Sequence, residues 1–220
     1  MQPDLARRRL LIAGSTGLAL SLLPFARAAK SSLRPTPPQS RGPFYPQELP
    51  LDDDNDLVRV SHSTSLAQGE ITHLTGEILD DAGRPVADAR VEIWQCDANG
   101  RYHHPRDRRS VPLDPNFQGY GHYQCQADGR YRFRTIRPVP YPGRTPHIHF
   151  AISGPGFEPL VTQMYVAGEP LNRSDFLLNN IRDETLRNSV IVEFKPLDSG
   201  EWRGHFRIVL AADGRFGVKS

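Results

Sequence analysis

The stretch that decides the fold is His122-Tyr123-Gln124-Cys125-Gln126-Ala127-Asp128-Gly129-Arg130-Tyr131-Arg132-Phe133-Arg134-Thr135-Ile136. Two short runs rich in aromatic and β-branched residues, 122–126 and 131–136, flank a connection with Asp-Gly at its centre. That pattern predicts two strands joined by a tight hairpin turn. The same grammar repeats outward in both directions. A run over 71–79 is followed by Asp80-Asp81-Ala82-Gly83-Arg84-Pro85, a second hairpin connection, and by a run over 89–95 that ends at Asp97-Ala98-Asn99-Gly100. Runs over 147–153, 160–166, 189–194 and 205–211 complete the set. Eight or so short strands with frequent turns predict an all-β, single-domain β-sandwich with long loops. The segment 174–187 is the exception: Phe176, Leu177, Ile181 and Leu186 roughly follow a helical stripe, so one short helix is expected there, capped by Ser174 or Asp175.

The ends of the chain have another character. Arg7, Arg8 and Arg9 precede a moderately apolar run from Leu10 to Phe25, and Ala26-Arg27-Ala28 offers small residues for cleavage. Residues 1–28 are therefore expected to be a signal peptide of the twin-arginine kind and the protein to be exported to the periplasm, with a retained N-terminal anchor or an ordinary secretory signal as the alternatives. Residues 29–50 are rich in proline and polar residues and are expected to be extended; residues 51–220 form the domain. The signal carries four arginines and one aspartate of the chain's 27 basic and 25 acidic side chains, which leaves 23 and 24. A formal charge of −1 gives no footprint for nucleic acid or an anionic membrane surface. No run is long and apolar enough to keep the chain stably inserted in a bilayer once the signal is removed. Cys96 and Cys125 suit either one disulfide or two free thiols, and are too few for a four-thiolate zinc site.

The chemistry concentrates at His147-Ile148-His149. In a strand, residues two apart project to the same face, so two imidazoles point one way and Ile148 the other. That geometry suits two ligands on one metal, although a bare His-x-His also occurs on ordinary strand faces. Just upstream, Pro138-Val139-Pro140-Tyr141-Pro142-Gly143-Arg144-Thr145-Pro146 holds four prolines in nine residues. Such a loop is stiff and presents Tyr141 and Arg144 beside the histidines. A phenol binds metal at neutral pH only where a strong Lewis acid favours the phenolate, and hard, highly charged ferric iron is one.

These residues together resemble the intradiol ring-cleavage dioxygenases, and within them the iron-binding subunit of the protocatechuate-cleaving branch. Tyr141-Pro142, His147-Ile148-His149, the Gly100-Arg101-Tyr102 turn after Trp94-Gln95, Leu113–Phe117, Thr162–Tyr165 and Gln39–Pro46 carry the likeness over about residues 36–211. The resemblance implies one ferric ion per chain on Tyr102, Tyr141, His147 and His149. It implies active-site positions for Arg144 and Gln163, with Tyr141 also acting as a base. His103 and His104 are then loop residues outside the site. The implied reaction opens a catecholic substrate with O2 between its two hydroxyl-bearing carbons, giving a cis,cis-muconate-type dicarboxylate, in an enzyme expected to be a homo-oligomer. Gly143 stands where related chains carry a bulky aromatic, which implies a wider pocket and a substituted catechol. The rival readings are a non-catalytic transthyretin-like binding module and an exported copper or zinc protein using His147 and His149.

Overall fold

The computed structural model describes residues 33–50, 52–61 and 63–211; the expected signal, residues 1–28, lies outside them. Two sheets pack face to face. The first has the order β4 (Arg130–Ile136), β1 (Ile71–Asp80), β9 (Trp202–Leu210) and β8 (Lys195–Pro196). The second runs β3 (Tyr120–Gln124), β2 (Arg90–Trp94), β5 (His147–Gly154), β6 (Phe157–Val166) and β7 (Ile191–Val192). The β1/β9 and β6/β7 pairs are parallel and all other pairs antiparallel. The expected all-β sandwich is present. Its core joins Leu74, Ile78, Phe133 and Phe206 of one sheet to Ile93, Ile148, Phe150 and Met164 of the other.

Both expected hairpins are corrected by this topology. β3 pairs with β2, whereas β4 pairs with β1 in the opposite sheet, so the Asp128-Gly129 turn carries the chain from one layer to the other. Gly129, at φ +66°, accepts from the Ile78 amide of β1, and a Cβ there would lie 2.6 Å from the Ile78 carbonyl oxygen. The glycine thus serves a close approach to β1, not a β3–β4 ladder. The 80–85 turn likewise folds back on β1, with the Val86 amide donating to Ile78, before the chain crosses to β2. Tight-turn chemistry is the same for a hairpin and a corner; only the faces to be buried distinguish them.

The expected single helix is two. α1 (Phe176–Asn179) is capped by Asp175, whose side chain accepts from the Leu178 amide, and α2 (Glu184–Ser189) is capped by Asp183 in the same way. A cap at Asp183 starts a new helix in the middle of the apparent stripe. Phe176 points outward and is 59% exposed, while Leu178 is buried. Cys96 and Cys125 are both free. They belong to different apolar clusters, Cys125 in the core between the sheets and Cys96 with Trp94, Tyr102 and Tyr120 on the other side of the second sheet.

That second side positions the site. In β5 every residue from His147 to Ile152 is buried, so the strand is covered on both faces. Ile148, Phe150 and Ile152 enter the core; His147, His149 and Ala151 face a cover of loops and the N-terminal segment. The segment crosses from sheet to sheet, the Thr36 amide donating to Val209 of β9 and the Gln39 amide to Val161 of β6.

Candidate metal centre

Register sets the floor of the site. On the outer face of the second sheet, His149 lies opposite Trp94 of β2 and Gln163 of β6, and His147 lies opposite Tyr165. The Trp94 and His149 rings stack at 4.9 Å with 9° between planes. The His147 Nδ1 donates to the Thr145 carbonyl at 2.6 Å, which leaves its Nε2 as the lone-pair nitrogen, and that atom is 3.2 Å from His149 Nε2. Burial, with the nearby Arg144 charge, pulls His147 down to about 3; burial, His147 and Arg144 pull His149 well down too. Both imidazoles are therefore neutral at physiological pH, the form that binds metal.

Two phenols close on them. Tyr102 is 2% exposed and reaches the site from the loop after β2. Tyr141 comes from the proline-rich loop before β5. Ring centroids are 5.7 Å apart for Tyr102 and Tyr141, 5.4 Å for Tyr141 and His147, and 6.2 Å for Tyr102 and His149. The Tyr102 hydroxyl and the His149 Nδ1 are buried with no hydrogen-bond partner. A buried group of this kind costs about 1–3 kcal/mol if left unsatisfied, and the Tyr102 hydroxyl, beside Tyr141 and His149, points to a ligand there; His149 Nδ1 is a separate orphan, since His149 meets His147 through Nε2. Burial first, then the neighbouring Cys96 and Tyr141, raise the Tyr102 pKa well above a free phenol's. Burial also raises Tyr141, against the lowering pull of Arg144. With both pKa values raised, neither phenol ionises near neutrality unless a metal ion favours the phenolate. Two neutral imidazoles and two phenols that need a Lewis acid are a donor set suited to a hard, highly charged ion. Among the described residues, no group of three or more His, Cys, Asp or Glu side chains offers a competing site.

The charged wall is one network. Arg144 Nε donates to Asp175 at 2.8 Å and Nη2 to the Gln163 side-chain oxygen at 2.6 Å; Gln163 Nε2 donates to the Ser40 carbonyl at 3.0 Å. Asp175 also accepts from the amides of Thr145 and Leu178, which ties the proline-rich loop to α1. Burial alone would raise the Asp175 pKa, but the Leu178 amide and Arg144 outweigh it and hold the carboxyl below its ordinary value.

A Dioxygenase family model matches residues 40–212. The protocatechuate 3,4-dioxygenase beta chain of Burkholderia cepacia is 42% identical over 160 residues, which span 69% of this chain and 67% of that one. The chain belongs to the intradiol ring-cleavage dioxygenase family. A 6-chlorohydroxyquinol 1,2-dioxygenase of Cupriavidus pinatubonensis is 31% identical over 93% of this chain and 75% of its own. The chain spans only about half of two hydroxyquinol 1,2-dioxygenases that it also matches, 45% and 52% of their lengths. Among solved structures, the dioxygenase domain of a dioxygenase carbohydrate-binding protein fusion from Streptomyces sp. SirexAA-E matches with a TM-score of 0.64 and 30% identity, over 81% of this chain and 99% of that one.

In this intradiol dioxygenase chain the structure brings Tyr102, Tyr141, His147, His149, Arg144 and Gln163 together. His103 and His104 are loop residues outside the donor group, and His104 is buried, edge-on to Phe44. Sequence reasoning missed the supports. Asp175 was visible only as a helix cap. Trp94, Gly42 and Phe44 lay within matched segments without an assigned role; Phe44 stacks on Tyr102 at 4.7 Å. Asp97 and Asp114, both fully buried, shape the Tyr102 loop. Asp97 accepts from the amides of Asn99, Arg101 and Asp114, and Asp114 from those of Gln68 and Asn116. Asp97-x-Asn-Gly was the one signal available, the pattern of a side chain turning its own backbone.

Proposed function

We propose that this chain is an iron-dependent intradiol dioxygenase that opens a catecholic ring with O2 between its hydroxyl-bearing carbons, giving a cis,cis-muconate-type dicarboxylate. The observation that carries the proposal is the convergence of Tyr102, Tyr141, His147 and His149, with the Tyr102 hydroxyl buried and unpartnered. These four would hold one ferric ion per chain. The ion supplies the Lewis acidity that ionises phenols and catechol oxygens, and the means of engaging O2. The rest falls to the protein. Tyr141 Oη takes one of the substrate's protons. Trp94, Phe44 and the Gly42 backbone cover His149 and Tyr102 and keep water away. Arg144, its Nε edge held by Asp175 and one Nη by Gln163, opposes negative charge on the ring in a poorly solvated site, where electrostatics act strongly. A substituted substrate is supported by the cleft that Gly143 lines with Tyr141, Arg144 and Asp175, which continues outward from the site.

We further propose export through residues 1–28 by the twin-arginine route, a periplasmic location, and self-association. The experiment is oxygen uptake by iron-loaded protein across catechol, protocatechuate, hydroxyquinol and alkyl- or chloro-catechols, with metal analysis and products identified by mass. Intradiol products with about one iron per chain are expected. Cleavage next to the hydroxyls, or no turnover of any catechol, overturns the proposal; the latter is what a non-catalytic sandwich predicts. Lysine at positions 7–9 should strand precursor in the cytoplasm, and light scattering reads the oligomeric state.

A further inference from the structure

The two phenols of the metal centre share a charged support that the proposed reaction does not use. Asp107 is buried in the loop that follows Tyr102, and its carboxylate accepts from the Tyr102 backbone amide at 2.8 Å. The same carboxylate receives Arg109 through Nε at 2.8 Å and through a second, short contact from Nη2. Held at that edge, the Arg109 guanidinium lies over the Tyr141 ring, 4.8 Å from its centroid. The clamped side chain is a quarter exposed and its partner carboxylate almost wholly buried. One ion pair therefore reaches both tyrosines, Tyr102 through the backbone and Tyr141 through the ring face.

We propose that Arg109 is a positioning residue for the metal centre, which holds the Tyr141 ring in place as a phenolate donor. The inference rests on the ferric reading given above. A cation on an aromatic face is attracted by the ring's negative quadrupole, and the attraction grows when the ring carries charge. Arginine suits the place because its planar fork can grip the carboxylate at one edge while its face stacks on the ring; lysine has no such fork. Asp107 limits the guanidinium's freedom to leave. The cation lowers the energy of the phenolate's donor electrons, and its clamp on Asp107 fixes the ring where iron would be met. Its removal should weaken the hold on iron and move phenolate-to-iron charge transfer to lower energy.

The test uses the full iron-loaded chain and two readouts other than turnover, the visible absorption band and the affinity for iron in competition with a chelator. Arg109→Met should shift the band to longer wavelength and weaken iron binding by roughly 2- to 30-fold, the range of a cation–π contact. Arg109→Lys, which keeps a cation but loses the fork, should fall between Arg109→Met and the native chain. A purely structural role is separated by a second background. With Tyr141→Phe, the band that remains belongs to Tyr102, which Arg109 reaches only through Asp107 and the backbone, and adding Arg109→Met should then move it much less than in the native chain. If Arg109→Met does not fold, Arg109→Gln takes its place in the same comparison. An unchanged band and iron affinity on loss of Arg109, or an equal shift with and without Tyr141, overturns the inference while leaving the function standing. A native protein that takes up iron with no phenolate band overturns the ligand reading and this inference with it.

Discussion

Gly42 is the position where a single methyl group should reach the candidate metal centre. Its φ of +71° lies in the left-handed region, and a Cβ there would sit 3.2 Å from His149 Cε1. Two costs follow for Gly42→Ala. The backbone strain is about 1–2 kcal/mol, reduced by about 0.4–1 kcal/mol because alanine has less freedom to lose on folding. The contact is the second cost. His149 cannot yield easily, since Trp94 stacks on its other side and β5 is buried on both faces. Gly200 isolates the first cost: its φ is +84°, a Cβ there meets nothing within 4 Å, and it lies in the turn before β9. Gly200→Ala should lower Tm by about 1–4 °C, as expected for about 1 kcal/mol in a domain of this size. Gly42→Ala should lower Tm further and weaken iron binding about 10-fold, the low end of what disturbing a ligand's supports costs. Differential scanning calorimetry and chelator competition on both variants decide it. Equal iron affinity in the two would refute the idea that this close approach holds His149.

Tyr102→Phe and Tyr141→Phe should each weaken or shift the visible band of the iron-loaded protein; unchanged spectra in both remove them as ligands. Arg144→Ala should lower kcat more than it raises KM, as for an interaction made chiefly in the transition state, and steady-state kinetics read this directly. Asp175→Asn should act in the same direction more weakly, and in an Arg144→Ala background it should add little beyond lost stability, which a double-mutant cycle measures. Asp80→Asn tests linkage far from the site: burial alone would raise the Asp80 pKa, but the Arg84 amide and guanidinium outweigh this and lower it. A lowered folded pKa gives stability that is present above the unfolded value near 4 and lost as pH falls through the folded one. The native chain should therefore exceed the variant in urea unfolding at pH 7, and the gap should shrink below about pH 4.

The strands were legible because each is a short run with its own composition, and every one of the eight expected runs overlaps a strand of the structure. Pairing was not legible, for a specific reason. The turn signals at 80–85 and 127–130 report local backbone needs, positive φ and side chains that bond their own backbone. Those needs are identical whether the next strand pairs with the last or crosses the sandwich. Long-range burial decides between the two, and here it sends β2 and β3 to one sheet and β1 and β4 to the other. β8, two exposed residues long, has too little composition to be seen at all.

The site divides along a similar line. His147 and His149 were visible because strand geometry alone places them on one face. Tyr102 lies 45 residues upstream in a loop, and it was reachable only through the family likeness. What brings it back is a set of contacts that no local pattern encodes. Asp97 and Asp114 are buried carboxylates that take their hydrogen bonds from backbone amides, so the loop is built around them, and a buried carboxylate without partners would be far too costly to keep. The N-terminal segment then covers the result, with Gly42 against His149 and Phe44 on Tyr102. Both contacts require a chain that has already crossed from the first sheet to the second. The candidate ligands therefore depend on the sandwich twice over, once for the strand that carries the histidines and once for β9 and β6, which guide the cover.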